Sequence, residues 1–168
     1  MGVSIIVRKL FSALLAVVVG ALTLLGVGAV SAEPQLPRIA LYSDNFGTVG
    51  NHAGCRGAMH VGVVAPKGTR GKIRITVTSH GFTGDGVGWR SNPRCRILLS
   101  FNEISPNHPL SRETFHSVSF GPRPGQKFVK EINSGSGPAG FGVATYVPDQ
   151  PVRVPVPYGG VSFLTVVP

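Results

Sequence analysis

Glycine and proline cut this chain into pieces too short for most architectures. Of its 168 residues, 23 are Gly and 14 are Pro, and both residue types interrupt helix interiors. Beyond residue 54 the longest stretches free of either are 94–105 and 110–120. Neither carries apolar residues at helical spacing. The pattern argues against helical bundles and leaves a fold of short strands joined by turns.

Alternation within the pieces supports that reading. In residues 71–80, Ile73, Ile75 and Val77 share one parity while Lys72, Arg74, Thr76, Thr78 and His80 take the other. Residues 94–102 repeat it, with Cys95, Ile97, Leu99 and Phe101 on one face. Cys55, Met59, Val61 and Val63 share a parity on the piece that runs into the turn at 65–71. Further strands are expected at 114–120, 126–132, 141–147, 152–156 and 161–167, with turn-rich connectors at 106–109, 121–125 and 134–140. Pro151, Pro155 and Pro157 make 152–156 an edge strand, since proline cannot donate to a ladder. The expected fold class is all-β, an antiparallel β-sandwich or small barrel of seven or eight short strands. Its likeness to immunoglobulin domains stops at architecture. Trp89 lies only six residues before Cys95, and Pro93 stands where a tyrosine corner would place Tyr.

The N-terminus carries an address. Arg8 and Lys9 precede an uncharged run from Leu10 to Ala32, which closes with Val30-Ser31-Ala32 before Glu33. A basic start, an apolar core and a small-x-small exit read as a secretory signal cut between Ala32 and Glu33. The alternative is an uncleaved N-terminal anchor. The expected organisation is a signal peptide at 1–32, an extended arm at 33–54 with one short strand near 39–42, and a single β domain at 55–168. Cleavage would remove only Arg8 and Lys9 from the 16 basic residues and none of the seven acids, leaving a formal charge of +7 and no transmembrane segment. Cys55 and Cys95 fall on the apolar parity of their strands, and two cysteines in an exported chain most simply form one disulfide. A loop of this size would constrain the unfolded chain by about 4 kcal/mol in the chain-entropy model.

Catalytic and metal motifs are sparse. The five histidines (His52, His60, His80, His108 and His116) are scattered singly, with no His-Glu-x-x-His and no Cys-x-x-Cys. No cofactor is expected and no functional metal, although His60 and His80 could share one outward sheet face. Ser79-His80-Gly81 resembles the start of the Ser-His-Gly-Cys signature of L,D-transpeptidases, but Phe82 stands in place of the nucleophile. The run 81–88 is rich in glycine yet lacks the Lys-Ser/Thr of a phosphate loop. No nucleic-acid motif is present.

Charge carries the functional expectation. Between Arg56 and Arg96 stand eight cations and one acid, Asp85. If residues 58–64 and 72–80 pair as a hairpin, Arg56, Lys72 and Arg74 share an outward face, with Lys67 and Arg70 at its turn, and Arg96 has outward parity on its own strand. Such a face would attract anionic envelope polymers or lipid headgroups by Coulomb steering. The expected function is non-catalytic binding, of these or of another extracellular protein, at a bacterial envelope or outside the cell. The alternative is a secreted hydrolase such as a small basic ribonuclease, for which Arg112, Glu113 and His116 supply acid–base residue types. That alternative requires at least two of Glu103, Arg112, Glu113 and His116 to meet in one concave pocket.

Overall fold

A computed structural model describes residues 33, 35–40 and 43–168, so the expected signal segment and Ala32 lie outside the described residues. Nine strands form two antiparallel sheets, with no helix among the described residues: β1 Arg38–Ala40, β2 Asn45–Val49, β3 Arg56–Val64, β4 Lys72–Thr83, β5 Cys95–Ser105, β6 His108–Phe120, β7 Lys127–Asn133, β8 Gly137–Tyr146 and β9 Pro155–Val167. One sheet has the order β1-β9-β8-β5-β6, the other β2-β3-β4-β7. The two pack face to face as a β-sandwich.

Period-two alternation builds the core, because successive side chains of a strand leave opposite faces. Met59, Val61 and Val63 of β3 and Ile73, Ile75 and Val77 of β4 are fully buried from one sheet. Ile97, Leu99 and Phe101 of β5, with Phe141, Val143, Val161 and Phe163 of β8 and β9, meet them from the other. Each fully buried side chain of this kind contributes about 1.5–3 kcal/mol relative to exposure. The expected hairpin between residues 58–64 and 72–80 is present, with Val61 opposite Val77 and Val63 opposite Ile75. A bulge interrupts it where Met59 pairs with Ser79 but Gly57 pairs with Phe82. The extra residue on β4 allows Gly81 to sit at φ 101°, where an added Cβ would meet the Pro122 carbonyl oxygen at 2.6 Å.

The disulfide joins the two sheets. Cys55 and Cys95 are bonded, their Cα atoms 5.8 Å apart, and no cysteine is free among the described residues. Both are buried, as their parity required.

Several boundaries differ from the sequence reading. Residues 33–54 supply a strand to each sheet: β1 pairs with β9 and β2 with β3, so this segment is part of the sandwich rather than an arm. Phe46 and Thr48 explain it, since both are buried on the inward parity of β2. Residues 152–156 form no separate strand. Pro155 opens β9, which runs on through Gly159 and Gly160 past a register shift; glycines that read as a break mark close backbone approach instead. β6 begins at His108, inside the stretch read as a connector.

Candidate functional site

β6 and β7 are the last strands of their respective sheets, and they face one another along one side of the sandwich. Register decides what they turn inward. Phe101 stands opposite Thr114 and Glu103 opposite Arg112 across β5 and β6. Across β4 and β7, Val77, Ile75 and Ile73 stand opposite Phe128, Lys130 and Ile132. The inward parity of three strands therefore ends in polar residues: Glu103 after Phe101, Arg112 beside Thr114, and Lys130 between Phe128 and Ile132. These line a cleft of about 380 Å³, with His108 and Asn107 at one end and Glu131 and Asn133 on its β7 side.

Glu103 is the least expected of them. Its side chain is only 7% exposed, and a buried carboxylate is costly unless paired. The partner is His108, whose Nδ1 lies 2.5 Å from Glu103 Oε1, in direct polar contact although off the alignment of a hydrogen bond. Arg112 Nη1 lies 2.8 Å from His108 Nε2. A guanidinium only donates, so Nε2 accepts and the ring proton sits on Nδ1, beside the carboxylate. The result is a chain of polar contacts from Glu103 through His108 to Arg112, with Lys130 in the same cleft.

His116 points inward one turn of the pleat further along β6. Its ring meets Phe101 edge-on and Phe128 at a tilt, with centroids 5.8 and 5.3 Å away. Burial first, then the nearby Lys130 ammonium, holds its imidazole below the ordinary value of 6.5. The unfolded chain therefore takes up this proton at a higher pH than the folded chain does. The stability supplied by neutral His116 is complete above the unfolded value and is lost as pH falls from there toward the lowered folded value. Urea midpoints measured at pH 7.5 and 5.5 should show a decline that is smaller in His116→Phe than in the parent. Equal declines in the two proteins would remove His116 from the acid sensitivity.

Glu113 faces the other way. It occupies the outer surface of the five-stranded sheet, where Ser100 Oγ donates to it and the Tyr146 hydroxyl donates at 3.1 Å. Burial and then this carboxylate raise the Tyr146 phenol above its ordinary value. Arg153 lies over the Phe115 ring, 3.7 Å from its centroid, on the same surface. Arg112, Glu113 and His116 thus form no acid–base trio. Glu103 and Arg112 do meet in one pocket, joined by His108, which the sequence reading left unassigned. The signal was present in the parity of β5: continuing from Cys95, Ile97, Leu99 and Phe101 leads inward to Glu103.

The expected anion-binding face divides between two surfaces. Arg56, Lys72 and Arg74 lie on the four-stranded sheet, but Arg96 belongs to β5 of the five-stranded sheet. Outward parity on opposite sheets points in opposite directions, so the four cannot form one face. Several are also engaged by acids. Arg56 pairs with Asp85 at 2.6 Å, Arg74 with Glu131 at 2.8 Å and with Glu33, and Arg96 with Asp149. Lys67 and Arg70 are exposed in the β3–β4 turn, and Lys72 is exposed at the start of β4. Glu33, the expected first residue of the mature chain, is held by Arg74.

Fold and site together define a disulfide-linked, two-sheet antiparallel sandwich with a polar cleft between two edge strands. No group of three or more His, Cys, Asp or Glu side chains that could hold a metal occurs among the described residues, and no helix long and apolar enough to cross a membrane is present among them. No protein-family model, no curated protein and no solved structure matches the chain.

Proposed function

We propose that this is a small exported binding protein whose cleft between β6 and β7 receives an anionic group of an envelope polymer or of another extracellular partner. The observation that carries the reading is that Arg112 and Lys130 line one cleft from facing strands, while the two carboxylates of the same lining are engaged, Glu103 by His108 and Glu131 by Arg74. Lys130 is half-buried in the cleft and Arg112 stands exposed at its mouth, and two cations gathered at one cleft focus a stronger field on an anion than cations dispersed over an open sheet. Export is supported by the charged, apolar and small-residue sequence of the N-terminus together with the disulfide.

Polyphosphate is a suitable probe. Binding should weaken with salt because counterions are released on association. Arg112→Ala/Lys130→Ala should lose about tenfold or more in affinity and should flatten the salt slope by about two. Lys72→Glu on the open sheet should change binding little. The opposite ranking, with Lys72→Glu the damaging change, would return the binding surface to the sheet face of Arg56, Lys72 and Arg74.

A second reading, hydrolysis, is favoured by one observation, the carboxylate–imidazole pair of Glu103 and His108. A general base needs a free lone pair, and Arg112 occupies the one at His108 Nε2. Phosphodiester cleavage by the purified protein that disappears in His108→Asn would establish this reading over the first.

A further inference from the structure

Three neighbouring strands of the four-stranded sheet bring two imidazoles onto one oxygen. Asn45 of β2 stands opposite His60 of β3, and His60 opposite Thr78 of β4, two residues before His80. Their inward neighbours Phe46, Met59, Val61 and Ser79 are buried, so alternation sends Asn45, His60 and His80 to the outer face. There His60 Nδ1 and His80 Nε2 each lie 3.2 Å from Asn45 Oδ1.

We propose that Asn45, His60 and His80 form a surface site for one divalent transition metal of the copper, nickel and zinc group. Imidazole nitrogens suit these ions, whereas calcium and magnesium take sets of oxygen ligands. The nearest acid in sequence, Asp44, is paired with Arg38, so no carboxylate of that segment is directed to a hard cation here. Neutral imidazole carries its proton on either nitrogen. Moving it to the far nitrogen turns a lone pair of each ring toward the site, and Asn45 Oδ1 is already an acceptor that can become a third ligand. The two ring nitrogens are no more than twice 3.2 Å apart. On a metal with bonds of about 2.0–2.1 Å they would stand roughly 3 Å apart, a closure that rotation of the exposed His80 ring toward the half-buried His60 ring can supply. The backbone beneath is fixed by ladders on both sides of β3. Two cations border the site: Arg56, held by Asp85, and Lys127, whose strand position is opposite Thr78. This site lies on the outer sheet face and does not depend on the cleft.

The test is a Zn²⁺ titration of the purified, disulfide-bonded protein, followed by the ring signals of its histidines in nuclear magnetic resonance. His60 and His80 should shift first and together, ahead of His52, His108 and His116. His60→Ala and His80→Ala should each weaken binding by about tenfold or more. Asn45→Asp should tighten it by supplying a carboxylate, a gain that a damaged fold cannot produce. The proposal is overturned if other histidines shift first, if either alanine variant binds like the parent, or if His60 and His80 do not move at a large excess of Zn²⁺.

Discussion

Gly50→Ala is expected to be among the most damaging single substitutions in this protein, costing more than about 4 kcal/mol and impeding closure of the disulfide. Gly50 follows β2 and donates its N–H to the Cys55 carbonyl at 2.9 Å. A Cβ added there would lie 2.3 Å from Cys95 Sγ, 2.8 Å from Cys55 Sγ and 2.6 Å from the Arg96 carbonyl oxygen. None of these atoms is the free end of a flexible side chain. Two belong to the covalent bridge and the third is backbone, so the overpacking exceeds the usual 1–3 kcal/mol or so for extra methylenes in a core. Urea unfolding and thiol titration of the variant should show a large loss of stability and unoxidised cysteine. Removing both sulfurs with Cys55→Ala/Cys95→Ala should then shrink the Gly50→Ala penalty, leaving the part due to Arg96. That non-additivity identifies the bridge as the obstacle. A Gly50→Ala protein that oxidises fully with an unchanged urea midpoint would contradict the close approach.

The same glycine marks where reading by sequence stops. Strand parity is a local property, and it was legible: Ile73, Ile75 and Val77, then Ile97, Leu99 and Phe101, then both cysteines all turn inward. Sheet membership is not local. Arg74 and Arg96 share outward parity, yet β4 and β5 belong to different sheets, and only the connection between them decides which surface each reaches. The cleft was hidden for a related reason. Glu103 continues the inward parity of β5, but its acidic side chain suggests solvent until His108 is placed across the turn beside it. Lys130 likewise looks like a surface residue until its pairing opposite Ile75 turns it inward. Gly50 carries no pattern at all, because its two tightest constraints come from Cys95 and Arg96, some 45 residues away in the chain. Function was the least legible, since it depends on which polar residues converge rather than on any one motif.

Phe101→Ala is the second change expected to have a large effect, a loss of about 3–5 kcal/mol. Phe101 heads the fully buried side chains by volume, and it stands where the apolar core gives way to the polar cleft. Its ring touches Phe128, centroids 5.8 Å apart, and His116, and it lines the cleft beside Glu103. Truncation would remove the transfer free energy of the ring and leave a cavity between strands fixed by ladders on both sides, which limits collapse. Phe101→Leu keeps most of the volume and should cost less than about 1.5 kcal/mol, so it serves as the folded comparison if the alanine variant proves too unstable to purify. The two substitutions also make a joint prediction with His116. Opening the wall against its imidazole admits water, relieves the burial that lowers its proton affinity and should reduce the decline in stability between pH 7.5 and 5.5. Urea midpoints at both pH values test each part. A Phe101→Ala loss below about 1 kcal/mol would show that the ring is not the keystone of the core that its burial implies. An unchanged decline between the two pH values would show that the Phe101 ring is not what keeps water from His116.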